Sequence, residues 1–394
     1  MTKRALSRRA GAFLLVAPLF LFIALFFVWP LVSVMKQSVS DTAVLHILPR
    51  TAEAIGAWDG TSEPSPELQQ ALIDDLRAAT GDQAAVGDMV RRLNSAQSGF
   101  RTLMSKTIRA AAETGEGPVD LLALDARWAQ PPFWTAIAEA LSPITDRYLL
   151  AAVDLTRDAS GAIVSQPPDA AINQAIFTRT LWISALVTFF CLAVGYPYAL
   201  LIAATSGWQR QVLLAAVLLP LWTSLLVRTA AWFMLLQDRG LINELLLTLN
   251  FINEPLALIF NRTGVVIAMT HVQLPLMVLP IYSVLLTIPK NLMPAAASLG
   301  AHPLRAFTRV LLPLSLRGIL SGSLLVFMSA LGYYITPALI GGAGDQMISY
   351  FIAFYATNTA NWGMASALGL VLLVITILLY AVYERLSGGR ERSA

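Results

Sequence analysis

The chain has 394 residues, 56% of them hydrophobic and 13% charged, with a net charge of +3. A soluble domain carries roughly 25% charged residues, so the composition argues against a wholly water-exposed protein and for one that lies largely in lipid. The single cysteine, Cys191, excludes an intrachain disulfide and a cysteine-built metal site, and three scattered histidines (His46, His271, His302) argue against a histidine metal centre; no cofactor is expected.

The charge is unevenly divided. Residues 36–170 hold 18 acidic and 11 basic side chains, whereas the remainder holds 6 acidic and 16 basic. Residues 1–10 carry Lys3, Arg4, Arg8 and Arg9, and no charge follows from Gly11 to Val34. About 20 apolar residues cross a bilayer. A basic start and an apolar run also fit a cleaved signal peptide, but this run exceeds the usual 7–15 residues of such a segment. The reading favoured is an uncleaved first spanning helix, with residues 1–35 comprising a cytoplasmic N-terminus and that helix. Residues 36–172 then form an extracytoplasmic insert. Ser65-Pro66-Glu67 before Leu68, Leu72, Ile73 and Leu76, and Pro131-Pro132 before Phe133, Ile137 and Leu141, are helix starts. Stretches 59–66, 114–118 and 159–169 read as joints. The insert is therefore mostly helical, holds no catalytic constellation, and its acids read as a solvated face.

Five further apolar stretches follow in residues 173–394. They run Ala175–Ala204, Val212–Leu236, Gly264–Thr287, Leu311–Ile340 and Ala365–Tyr383, with an outer connection at 237–262, a loop at 288–313 and an outer turn at 341–345. The expected fold is an all-α membrane protein with six transmembrane helices and both termini cytoplasmic. The four inner pieces then hold 12 basic residues against the acids Glu384 and Glu391, as the positive-inside bias requires. Arg228 lies inside the third stretch, where a charge is a functional candidate. On a straight helix it falls roughly 24 Å from Val212 at 1.5 Å per residue, near the outer boundary. His271 is the one histidine at span depth, and such a residue is more often bonded to a neighbouring helix than catalytic.

The inner loop reads PAAASLGAHPLRAFTRVLLP from Pro294 to Pro313. Pro294 can open a helical turn, Ala295 and Ala296 continue it, and Gly300 permits a bend. Pro303 opens a second helix with Leu304, Phe307 and Leu311 on one face and Arg305 and Arg309 on the other. The pattern resembles the cytoplasmic coupling loop of ABC importer permeases: Glu-Ala-Ala, three residues, Gly, nine residues, Ile-x-Leu-Pro. Ala295, Ala296, Gly300, Val310, Leu312 and Pro313 match it, and Pro294 replaces the glutamate.

The stretches Leu218–Trp222 to Arg228, Gly240–Asn243, Ala330–Gly342, Asp345–Tyr350 and Asn361–Met364 resemble spermidine/putrescine-type permeases of binding-protein-dependent importers. That resemblance implies a second permease subunit, ABC ATPase subunits on the coupling loops, a periplasmic solute-binding protein and a small-molecule solute path through the bilayer of a bacterial inner membrane. It implies alternating access, with polyamines or a related small organic solute as cargo and no nucleic-acid partner. The chain has no GxxxxGK[ST] loop, so ATP is bound by another chain. Trp222, Arg228, Tyr333 and Tyr334 are candidates for the solute path, where aromatic faces can hold a cation; Trp232 belongs with them on the same ground. A membrane-anchored sensor using the acidic insert, and a membrane-embedded enzyme using His271, are the competing readings.

Overall fold

Long apolar stretches must satisfy their backbone groups internally in lipid, and helices do so. The computed structural model describes residues 15–115, 117–158, 161–359 and 361–388. Lys3, Arg4, Arg8, Arg9, Arg390, Glu391 and Arg392, which enter the orientation count, lie outside them. The chain divides into two units, one comprising residues up to Ala151 with Thr359–Ala367, the other Ala152–Asn358 with the residues from Leu368 onward.

The first unit begins with α1, Leu15–Gln37, an apolar helix with no buried residue. Seven helices follow, α2 Ala43–Ile47, α3 Pro49–Ile55, α4 Pro66–Ala78, α5 Gln83–Ala96, α6 Phe100–Glu113, α7 Leu121–Leu124 and α8 Pro131–Ala140, before α9, Arg147–Ala152. Ser65 starts α4 by accepting from the Leu68 N–H at 3.2 Å, and prolines open α8 as expected. Their apolar faces enclose Phe100, Trp128, Phe133 and Trp134. Indole N–H groups cannot be buried unpaired; Trp128 donates to Thr107 Oγ1 at 3.1 Å and Trp134 to the Trp128 carbonyl at 2.8 Å.

Two acids of this unit depart from the solvated face expected of them. Asp75 is buried and accepts from Thr51 N and Thr51 Oγ1, both at 2.8 Å, which ties α4 to the first turn of α3. Asp41 is buried against Arg92 Nε and accepts from the Tyr148 hydroxyl at 2.9 Å. Burial is the main cause that pushes the Tyr148 hydroxyl up to about 12, and the Asp41 carboxylate adds to it. In the same unit, Gly363 lies against the Tyr148 ring so closely that a Cβ there would sit 2.3 Å from it.

The second unit opens with a short antiparallel hairpin, β1 Leu155–Arg157 and β2 Ile163–Ser165, with Leu155 opposite Ser165. The hairpin falls partly in the stretch expected to be a joint; three-residue strands are too short to show an alternating pattern. Asp154, before β1, is buried and accepts from the N–H groups of Asn173 and Gln174 at 2.9 and 2.7 Å, capping α10, Asn173–Ala204. Then come α11 Gly207–Trp222, α12 Leu225–Leu235, α13 Leu241–Thr248, α14 Arg262–Thr287, α15 Leu292–Ser298, α16 Pro303–Leu331, α17 Ile335–Ile340, α18 Ile348–Thr357 and α19 Trp362–Gly388.

Helices α10, α14 and α16 form the core of this unit. Its buried residues include Val187 and Cys191 of α10, Met277, Val278 and Ile281 of α14, and Val326 and Ala330 of α16. Gly318 and Gly322 of α16 stand four residues apart against α14, where an added Cβ would lie 2.9 Å from Ile281 Cα and from the Met277 carbonyl respectively. Small residues at this spacing let two backbones meet without bulk between them. Polar pairs lock the trio: Tyr196 with Ser315 at 2.9 Å, and Gln273 donating to Ser329 at 3.0 Å.

Two expected spans are not single helices. Val212–Leu236 is a broken pair, α11 and α12, bent by 102° at Thr223–Ser224. Both residues are extended, and Ser224 starts a new helix by accepting from the Val227 N–H at 3.2 Å. Leu311–Ile340 likewise divides, because α16 ends at Leu331 and α17 starts only at Ile335. Among the described residues, five helices are long and apolar enough to cross a membrane, or six if the broken pair is one span.

Gly322→Leu is expected to overpack the α14–α16 seam and cost about 1–3 kcal/mol, lowering the thermal unfolding midpoint of the purified chain. Gly369→Ala, where a Cβ meets nothing within 4 Å, should leave that midpoint unchanged or higher. A second outcome concerns pH. Because the folded state keeps Tyr148 protonated above the usual tyrosine range, its contribution is present below pH ~10 and lost as pH rises towards 12. Tyr148→Phe should flatten that part of the alkaline unfolding profile.

Candidate functional site

The loop between α14 and α16 is an elbow closed by a glycine. Helix α15 begins at Leu292, two residues before Pro294. A proline at the third helical position costs no hydrogen bond, because the first four N–H groups of a helix have no intrahelical acceptor. The helix ends in a double closure: Ala301 N–H donates to the Ala296 carbonyl at 3.0 Å and Gly300 N–H to the Ala297 carbonyl at 2.9 Å. This is the Schellman arrangement, which places its penultimate residue in the left-handed region. Gly300 has φ of +78° and meets nothing within 4 Å of a notional Cβ.

Pro303 then opens the next helix, with the His302 side chain accepting from the Leu304 N–H. That helix runs without interruption from Pro303 to Leu331, through a π-turn at Phe307–Leu311. Its first turns are therefore the end of a rod roughly 44 Å long at 1.5 Å per residue. Phe307 meets Tyr196 of α10 edge-on at 6.0 Å, and Leu311 packs on the core. Leu304, expected on the same apolar face, is instead 66% exposed, and Leu299 at the tip is 89% exposed. Ala295, Arg305, Arg309 and Pro313 are exposed; Ala296 is half-buried. The elbow thus presents two leucines, a bare glycine and two cations outward.

The second candidate site lies where the two breaks meet. Thr229 on α12 and Thr336 on α17 share a hydrogen bond at 3.1 Å, and both are buried. Arg228, one residue earlier, is within electrostatic reach of Tyr333 and His271. Its Nε and Nη1 are out of contact with solvent and have no hydrogen-bond partner. One turn on, Trp232 Nε1 donates to His271 Nδ1 at 3.0 Å, the inter-helix bond expected for a lone span histidine. A cavity of about 590 Å³ reaches Trp232, Thr270 and His271 between α10, α12 and α14.

Of the candidates for the solute path, Arg228 and Tyr333 lie within electrostatic reach of each other. Tyr334 is 42% exposed with its ring 6.2 Å from Tyr350, and Trp222 is 85% exposed at the end of α11. The straight-helix depth for Arg228 does not hold, because the bend at Thr223–Ser224 redirects the chain just before it. The threonine pair was not singled out from sequence; Ser224 and Pro220 around the break were the available signal.

Residues 195–391 match the family model described as "Binding-protein-dependent transport system inner membrane component". The chain belongs to this family. It is 34% identical over 212 residues to the spermidine/putrescine transport system permease protein PotB of Escherichia coli, covering 54% of this chain and 77% of that one. It is also 34% identical over 232 residues to the inner membrane ABC transporter permease protein YdcU of Escherichia coli, covering 54% and 72%. Among solved structures, a bacterial alginate ABC transporter in complex with an alginate pentasaccharide-bound periplasmic protein has a chain 17% identical to this one, with a TM-score of 0.45 over 55% of this chain and 78% of that one. The protein is therefore a multi-pass inner-membrane ABC permease, a transporter rather than a catalyst. The sensor reading finds no support in these matches.

The Thr229–Thr336 bond joins two helix breaks and is expected to contribute about 1 kcal/mol. In a double-mutant cycle with Thr229→Val and Thr336→Val, measured by thermal unfolding, the double variant should lose less than the sum of the singles.

Proposed function

We propose that this chain forms half of a solute path that opens alternately to the two sides of the membrane, driven by ATPase subunits bound at the elbow. In this reading the chain crosses six times, counting α11 and α12 as one span, with both termini and residues 288–313 in the cytoplasm, residues 36–172 outside and residues 173–394 as the permease core. A second permease subunit completes the path, and a periplasmic solute-binding protein delivers the cargo. The carrying observation is mechanical. The helix that begins three residues after Gly300 is the same helix that ends at Leu331, two residues before Tyr333. Displacement of the elbow by a closing ATPase reaches the path through one continuous rod seated on α14. Relatives named for spermidine and putrescine support a polyamine or a related small organic solute as cargo.

Gly300 separates strain from recognition. Alanine and leucine there both carry the left-handed penalty of roughly 1–2 kcal/mol, yet neither has an internal clash at Cβ. Only leucine projects a bulky group outward. In cells carrying the whole transporter, Gly300→Ala should keep most solute uptake. Gly300→Leu should reduce it by roughly tenfold, the effect of about 1.4 kcal/mol, while ATP hydrolysis continues. Equal uptake in the two variants would remove the elbow from the coupling mechanism.

A further inference from the structure

The cavity between α10, α12 and α14 is an open furrow with a charged mouth. On its α10 wall Leu186, Phe190 and Val194 recur every four residues, on one face, and Phe190 and Val194 are 43% and 51% exposed. Ile267 and Leu274 of α14 line it as well. Trp232 Nε1 donates its hydrogen to His271 Nδ1 at 3.0 Å, so that indole offers the furrow only ring carbon. Along α14 the lining runs from Arg262 to Leu274, about 18 Å at 1.5 Å per residue. One leaflet is half of the hydrocarbon core, about 15 Å. The furrow therefore has the length of a lipid tail in a single leaflet.

The cations gather at one end. Arg262, the first residue of α14, lines the furrow and pairs with Asp345 at 3.1 Å while its side chain stays 47% exposed. Arg179, two turns before Leu186 on α10, donates to the Gly344 carbonyl at 2.6 Å, one residue from the same aspartate. Two guanidinium groups thus meet one carboxylate. A guanidinium can give a phosphate two parallel N–H bonds, and basic pockets between spanning helices bind lipid headgroups. We propose that the furrow seats one acyl chain of an anionic phospholipid, with its phosphate on Arg262 and Arg179. A partner's apolar helix would fit the walls but leave the excess charge at the mouth unanswered. The site requires only that α10 and α14 cross the bilayer, so it stands or falls apart from coupling at the elbow.

The test uses the whole transporter, purified from a bilayer of phosphatidylglycerol and phosphatidylethanolamine in equal parts and stripped with excess detergent. Native mass spectrometry then reads the lipid retained. Phosphatidylglycerol should exceed phosphatidylethanolamine by roughly tenfold, the effect of about 1.4 kcal/mol. Arg262→Gln should remove most of that preference. Asp345→Asn, which takes away the anion and leaves both cations, should raise it, whereas simple damage to this turn would lower retention in both variants. Val194→Trp, at an exposed position where the ring fills the furrow, should lower retention of both lipids. Equal retention of the two lipids, no retained lipid, or unchanged retention in the variants would overturn the proposal. So would a photo-crosslinking residue at Phe190 that joins a protein chain instead of a lipid, which would assign the furrow to a subunit contact.

Discussion

The backbone of α16 can press against α14 only because Gly318 and Gly322 offer no side chain at the seam, and the rest of the permease core depends on that approach. With the two helices in direct contact, α16 is held along its middle while both its ends stay free for other work. One end is the elbow, turned by Gly300 and seated through Phe307 on Tyr196. The other is the gap at Gly332–Tyr334, tied through α17 to the broken pair α11–α12 by two threonine hydroxyls. Lipid offers no hydrophobic force between helices, so close packing and buried polar pairs supply the cohesion; Tyr196–Ser315 and Gln273–Ser329 do so here.

The polar part of the chain follows a different physics. The helices of residues 43–140 enclose an aromatic core in which both indole N–H groups are satisfied. Its buried acids each have named partners, Asp75 with Thr51 and Asp41 with Arg92 and Tyr148. The family match begins at residue 195, and this region has a hydrophobic core of its own. Gly363, at the start of α19, packs on its Tyr148 ring.

Much of this was legible in the chain. Composition and uninterrupted apolar length located the spanning helices to within a few residues at α10, α14 and α19. The bend at Gly300 and the helix opening at Pro303 were visible because glycine frees the backbone and proline fixes it locally. What local pattern does not carry was missed. Thr223–Ser224 breaks a helix in the middle of an apolar run, and hydropathy is blind to direction. Asp41 and Asp75 looked solvated because their partners, Arg92 and Thr51, are 51 and 24 residues away. The hairpin at Leu155–Ser165 is too short for periodicity. The Gly318–Gly322 spacing was present in the sequence, yet only the facing Met277 and Ile281 give it meaning.

Coupling through α16 requires that the elbow at Gly300 face the cytosol and touch an ATPase. A photo-crosslinking residue at Leu299, which is almost fully exposed, probes this contact in the intact transporter. The expected result is an adduct with the ATPase subunit, and no modification of a cysteine at the same position by a membrane-impermeant reagent added from outside. An adduct with the solute-binding protein, or labelling from the outer side, would contradict it.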